Sequence, residues 1–353
     1  MGYEIDFHPV GNETKSGDAI SMRFVDENED QFVVVIDGGY KSDGEVVCKH
    51  IKEFYKTETI DLVISTHPDS DHINGLFTIL ESMEVKKLAI AKPWEFDGLS
   101  GEFSDNRFTD NSLSKRVAEQ LNKSVELVDL AEAKSIEVVD PFTGFSFEKC
   151  GAALITLGPS EEYYRELLPQ ILDEKPEEKS LSESLSNSFE GVINLIKALW
   201  GKDNLSEDVI TSPLNSTSVI TLINYDGRSL LFTGDAGVEA LQKAESMYRD
   251  YVKELKLMQI PHHGSRRNIS SSILDTYVGE PKPKGSEMNM SAIASAAKKS
   301  DKHPRACVTN AFIHRGVKTV ATKGSTICYR HNMPARDGWT TTKCIEYKEE
   351  FEE

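Results

Sequence analysis

No stretch of this 353-residue chain approaches the roughly 20 consecutive apolar residues of a membrane-spanning helix, so no membrane partner is expected. Cysteine is scarce. Cys48, Cys150, Cys307, Cys328 and Cys344 are scattered, odd in number and form no CxxC pair. That argues against a disulfide framework and a thiolate zinc site, and a reducing, cytoplasmic setting is expected. The basic-then-apolar pattern of a signal peptide is missing too: MGYEIDFHPV carries Glu4 and Asp6 and reads as a first strand. Positive charge is in deficit, with 40 Lys and Arg against 58 Asp and Glu, a net charge of −18. Such a surface repels polyanions at long range and speaks against a general DNA-coating protein. A local basic patch or a bound metal can still invert the field at one site. Apolar residues are not lacking: at 39% they suffice for a sizeable core, which excludes wholesale disorder.

The first third alternates strands and helices. Residues 19–25 and 31–36 are β-branched runs joined by an acidic turn, a predicted hairpin. The run FVVVI ends in Asp37-Gly38-Gly39. Helices are predicted over 46–55 and 73–83, and strands over 60–65 and 87–91. The rhythm implies a layered α/β architecture. In the middle, 98–111 reads as a loop, and 111–122 and 161–172 as helices. Residues 173–190 are charged and Ser-rich, the composition of a mobile loop. Val192, Ile193, Leu195, Ile196, Leu199 and Trp200 form an amphipathic stripe expected to pack on a sheet. Strands return over 218–225 and 229–233, joined by a DG turn, then over 255–260, 307–313 and 324–331.

Four features share one placement, each at the C-terminal end of a predicted strand: Asp37, the segment His67-Pro68-Asp69-Ser70-Asp71-His72, Asp235, and the pair His262-His263. Strand ends are where α/β proteins place their sites. Asp37 and Asp235 also suit plain turns, and a His-His pair also suits a surface. The HPDSDH segment is different, because four ionisable groups in six residues beside a buried strand are costly without a cation. Imidazole and carboxylate without thiolate suit zinc, manganese or iron.

These residues resemble a known signature. HPDSDH followed by Ile73-Asn74-Gly75-Leu76 is similar to the HxHxDH motif of metallo-β-lactamase-fold hydrolases, in the HxDxDH form of the ComEC-type competence proteins and their soluble stand-alone relatives. The same branch is matched by Gly17-Asp18-Ala19 after Val10-Gly11, by Asn215-Ser216-Thr217-Ser218-Val219-Ile220, by Leu231-Phe232-Thr233-Gly234-Asp235, by His262-His263-Gly264-Ser265 and by His303-Pro304. The resemblance covers about residues 5–95 and 205–331.

It implies one αββα sandwich domain over 1–353, interrupted at about 96–204 by a partly helical insertion outside the resemblance, which in a non-catalytic alternative would bind a protein partner. It further implies two divalent metal ions, manganese or zinc. His67 and Asp69 would hold the first. Asp71, His72 and a histidine of the HHGS segment would hold the second, with His263 favoured and His262 the alternate. Asp235 would bridge both, and Asp37 and Asn215 would support the ligands from behind. Asp69 stands where the wider superfamily has His, and Asn215 falls near its third His, which hardens the first site toward manganese. The implied activity is hydrolysis of a phosphodiester, in nucleic acid or a nucleotide, by metal-activated water. Asp235 would position that water, Asp71 accept its proton, and His303 protonate the leaving oxygen or bind a phosphate oxygen. The alternatives are hydrolysis of a small ester, amide or phosphorylcholine-like group, and a partner-binding module without catalysis. Arg266, Arg267, Lys282, Lys284, Lys298, Lys299 and Lys302 make the segment after HHGS unusually basic for this chain, suited to a polyanion or simply to a solvated loop.

Overall fold

The computed structural model describes residues 1–11, 13–102, 109–173 and 195–352. Strands β1 (Gly2–Phe7), β2 (Ala19–Val25), β3 (Gln31–Gly38), β4 (Leu62–Ile64), β5 (Lys87–Ala89) and β6 (Glu137–Val139) lie side by side in chain order. A second sheet repeats the scheme with β7 (Ser146–Lys149), β8 (Ala152–Gly158), β9 (Ile220–Tyr225), β10 (Arg228–Phe232), β11 (Glu254–Gln259), β12 (Ser291–Ala294) and β13 (Lys318–Ala321). The last strand of the chain to join either sheet, β14 (Ile327–His331), returns to the first and pairs with β1. In both sheets the early strands are antiparallel and the later ones parallel, with the change at β3 and at β10. The pair β3–β4 in one sheet therefore corresponds to β10–β11 in the other.

Alternation along the strands builds the layers. On β3, Phe32, Val34 and Ile36 join a core between the sheets with Phe7, Phe24, Leu154, Ile223, Leu230, Phe232 and Leu257. Val33 and Val35 point to the other face, the period-two pattern of a strand buried on both sides. There they meet α1 (Lys41–His50), α2 (Ser70–Ser82) and α4 (Asn122–Ala133), while α3 (Asp110–Gln120) packs in the other helical layer. Outside the second sheet, Leu222, Leu231 and Met258 pack against α5 (Glu161–Asp173), α6 (Val238–Tyr251), α7 (Ser271–Tyr277) and α8 (Ala306–Ile313). The result is helix, sheet, sheet, helix, the αββα sandwich that the resemblance implies. Among the described residues no helix is long and apolar enough to cross a membrane.

Several local expectations need correction. Residues 307–313 are not a strand but α8. Cys307, Val308, Ala311 and Phe312 are all buried, and a short apolar run cannot be told from a buried helix by pattern alone. Part of the amphipathic stripe is a strand, Leu195–Lys197, paired with Glu350–Glu352 near the far end of the chain, and Leu199 is exposed. Val192 and Ile193 lie outside the described residues, as do all but the first of residues 173–190. The segment 96–204 contributes more than helices: β6 extends the first sheet, and β7 and β8 pair beside β9 in the second. The helix expected over 73–83 begins earlier, at Ser70, so it takes the second half of HPDSDH into its first turn.

Candidate metal centre

The sheets place four loops at one edge, after β3 and β4 of the first and after β10 and β11 of the second. They carry Asp37, His67 to His72, Asp235 and His262-His263. Close backbone approach seats α2 against the β3 loop. A Cβ on Gly75 would lie 1.8 Å from the carbonyl oxygen of Gly38, so only glycine fits. The Gly75 N–H donates to the Gly39 carbonyl (2.9 Å), which brings His72 onto Asp37. Asp37, His262 and His263 all have left-handed backbone, with φ of 56°, 46° and 58°. Such conformations cost non-glycine residues about 1–3 kcal/mol each and concentrate at functional sites.

Hydrogen bonds fix which imidazole nitrogen faces inward. Asp37 accepts from the Thr66 N–H (2.8 Å), from the Thr66 hydroxyl (2.6 Å) and from Nδ1 of His72 (2.7 Å). Since the Thr66 hydrogen goes to Asp37, its oxygen is left to accept from Nδ1 of His67 (3.0 Å). One buried carboxylate thus sets both histidines of the motif, so that in each neutral ring the lone pair lies on Nε2. For His262, Asn268 is oriented by donating its Nδ2 to the Asp235 carbonyl (2.8 Å), so its Oδ1 accepts from Nδ1 of His262 (3.0 Å). Asn215 lies 3.1 Å from the same nitrogen. It therefore sits behind His262.

The inward atoms converge on Asp235, which is 3% exposed. Its Oδ2 lies 3.9 Å from Nε2 of His67, 3.4 Å from that of His72, 3.5 Å from that of His262 and 3.9 Å from that of His263. Asp69 Oδ2 is 3.6 Å from Nε2 of His67, and Asp71 Oδ2 is 3.7 Å from that of His263 and 4.0 Å from that of His72. All the predicted metal-capable side chains are brought together, and both histidines of the HHGS segment face Asp235. One more group joins them, Asp18, which clusters with His72, Asp235 and His263. The resemblance assigns Asp18, within Gly17-Asp18-Ala19, no role; its signal was an acidic residue leading into a largely apolar strand.

Nε2 of His67 and His72, both nitrogens of His263, Oδ1 of Asp235 and both oxygens of Asp18 are buried without a hydrogen-bond partner. Buried polar atoms are otherwise almost always paired, and such a set of imidazole and carboxylate donors is what a divalent cation requires. The electrostatics agree. Burial alone would lower His72 and His263, but facing carboxylates outweigh it. Asp235 and Asp37 raise His72 well above its ordinary value, and His263 is pushed up to about 9, chiefly by Asp235. Burial alone would raise Asp235, but His262, His72 and His263 hold it well below the carboxylate range. His303 stands nearby, its ring centroid 6.1 Å from that of His262 and 6.3 Å from that of His263. Burial and the two neighbouring histidines push it down to about 3, so its ring is neutral at pH 7.

Neither a family model nor a curated protein matches the chain. Solved structures do show similarity. A metallo-β-lactamase from Cronobacter sakazakii, in a variant of its HARLDQ motif, is 8% identical over 63% of this chain, with a TM-score of 0.29. The match spans 59% of that chain, and 56% of a second variant of the same enzyme. A diphosphatase of the PhnP family is 10% identical over 94% of this chain and 98% of its own, with a TM-score of 0.40. A metal-dependent hydrolase of the β-lactamase superfamily is 11% identical over 94% of this chain and 100% of its own, with a TM-score of 0.44.

Proposed function

We propose that this chain is a metal-dependent hydrolase of phosphodiesters, akin to the ComEC-type branch. The observation that carries the reading is the convergence of four imidazole Nε2 atoms on one buried carboxylate oxygen of Asp235, within 3.4 to 3.9 Å. Such an oxygen suits a carboxylate shared by two ions. His67, Asp69 and His262 would hold one ion, and Asp71, His72 and His263 the other. Divalent cations there supply Lewis acidity and lower the pKa of a bound water toward ~7.

The chain's own groups do the rest. Asp37 and Asn268 keep the imidazoles in the ligating tautomer. Asp69 and Asp71, each with a side chain 27% exposed, stand at the open side. His263 and His72 outweigh the desolvation around Asp71 and hold it below the carboxylate range, so it is charged and able to take a proton from water. Neutral His303 is better suited to donate an N–H to a phosphate oxygen than to deliver a proton to a leaving group. The oxygen donors of Asp69, Asp71 and Asp235, without thiolate, favour manganese over zinc. Exposed Arg266 and Arg267 directly follow the HHGS segment and suit flanking phosphates.

The test is cleavage of short single-stranded DNA, RNA, cyclic dinucleotides, long duplex DNA and small esters, each with manganese and with zinc across a salt series. Expected is phosphodiester cleavage, faster with manganese and weakening as salt rises. Long duplex should be a poor substrate because the net charge is −18. Ester turnover without phosphodiester cleavage under either metal would replace this reading with the small-ester alternative.

A further inference from the structure

Each imidazole facing Asp235 has something behind it, and the backings differ. His67 is backed by the Thr66 hydroxyl and by Ser218, whose Oγ lies 3.3 Å from its Nδ1. His262 is backed by the Asn268 amide, whose Oδ1 accepts from its Nδ1. His72 is backed by the Asp37 carboxylate. That leaves His263, whose Nδ1 is buried without a hydrogen-bond partner. The polar group it faces is Asp18, whose Oδ2 lies 3.7 Å away.

Asp18 is placed there by its own loop. Its N–H donates to the Asp71 carbonyl (3.1 Å), and a Cβ on Gly17 would come within 2.4 Å of that same carbonyl oxygen. Ser16 accepts from the Ala297 N–H (3.0 Å), tying the loop to the segment that leads to His303. Asp18 is 1% exposed, and neither of its oxygens has a hydrogen-bond partner. A buried carboxylate with nothing to bind is costly, and one facing an unpartnered imidazole nitrogen has an obvious use.

We infer that Asp18 is the positioning carboxylate of His263. It accepts from Nδ1–H, holds the ring in the tautomer that presents Nε2 to Asp71 and Asp235, and strengthens that nitrogen as a donor. The inference rests on the proposed metal reading and adds an asymmetry to it. The position formed by Asp71, His72 and His263 has two carboxylate-backed imidazoles, whereas the position formed by His67, Asp69 and His262 has imidazoles backed by hydroxyl and amide. Carboxylate-backed imidazoles are the stronger ligands, so the former is the tighter site.

The experiment uses the full chain, stripped with a chelator and titrated with Co²⁺ under competition from a chromophoric chelator. Wild type should bind two equivalents, one tighter than the other. Asp18→Asn, nearly isosteric, should weaken the tighter equivalent by about 10–100-fold. The weaker equivalent should stay put, and circular dichroism should show the cation-free variant folded. Equal weakening of both equivalents would mean a merely structural role and would overturn the inference. So would an unchanged titration, or complete loss of one equivalent, which would make Asp18 a direct ligand. Independently of any Asp18 variant, long-range ¹H–¹⁵N spectra of Co²⁺-free, Zn²⁺-loaded wild type, assigned with His263→Gln, should show the proton of His263 on Nδ1; a proton on Nε2 would refute it. Wild type that binds no Co²⁺ at all would overturn the metal reading itself, and with it this one.

Discussion

Replacing Asp235 by Asn or Ala tests the centre most directly, because its carboxylate is common to all four imidazoles while its backbone is held independently. The Asp235 N–H donates to Ser218 Oγ (3.2 Å), and its carbonyl accepts from Asn268 (2.8 Å). Both bonds survive a side-chain change, so the loop should keep its path and the perturbation should be confined to charge. Removing one partner from a fully buried ion cluster costs about 3–5 kcal/mol. In a binding equilibrium every 1.4 kcal/mol is tenfold, so affinity for a divalent cation should fall by roughly two to four decades. A chain that is saturated at micromolar cation would then be nearly empty. The assay is elemental analysis after equilibrium dialysis against a buffered metal, with circular dichroism to establish that the variant is folded. Phosphodiesterase activity should vanish in parallel. Equal metal content in wild type and variant would mean that Asp235 is only a turn residue before α6, and would refute the whole arrangement.

The pH dependence of the cation-free chain follows from His263, which is pushed up to about 9 in the folded state. Its contribution, about 3 kcal/mol, is fully present below the unfolded value near 6.5 and is lost as pH rises through about 9. The urea midpoint of chelator-treated protein should therefore fall between pH 6 and pH 9.5, and a midpoint that stays level or rises would contradict the placement. Far along the chain, Arg336 forms ion pairs with buried Asp6 (2.7 Å) and Glu4 (3.2 Å), and its guanidinium lies between the rings of Phe54 and Trp339. Arg336→Ala should destabilise by about 3–5 kcal/mol in denaturant titrations, while the folded fraction keeps its full metal content. A loss of metal without a loss of stability would show that this network reaches the centre.

Much of the centre was legible in the sequence because its signals are local. Four ionisable groups in HPDSDH, directly after the apolar run before them, pointed to a cation whatever the fold. Asp37, Asp235 and the His262-His263 pair could be placed at strand ends because strand pattern and turn chemistry are also local properties. Other features depend on which segments meet. Residues 137–158 look like part of an insertion until β6 finds β5 and β8 finds β9, pairings that close over dozens of residues and leave only a weak mark on three to seven residues of strand. The apolar run at 307–313 became a helix because it packs against the second sheet, where a buried helix and a buried strand have the same composition. The choice between His262 and His263 was open in the sequence. The left-handed turn at 262–264, seated on the β10 loop, aims both at Asp235. Asn215, which matched only the neighbourhood of a missing ligand, proved to sit behind His262. Asp18 comes to face His263 only because its loop docks on Asp71. What the sequence by itself determined was the chemistry of the donors and the ends of the strands that carry them. The tertiary structure alone decided which nitrogen of each imidazole faces inward and which carboxylate stands behind it. Those choices are set by contacts between segments far apart in the chain, as where Oδ2 of Asp18 stands 3.7 Å from Nδ1 of His263, some 245 residues on, and no local pattern encodes them.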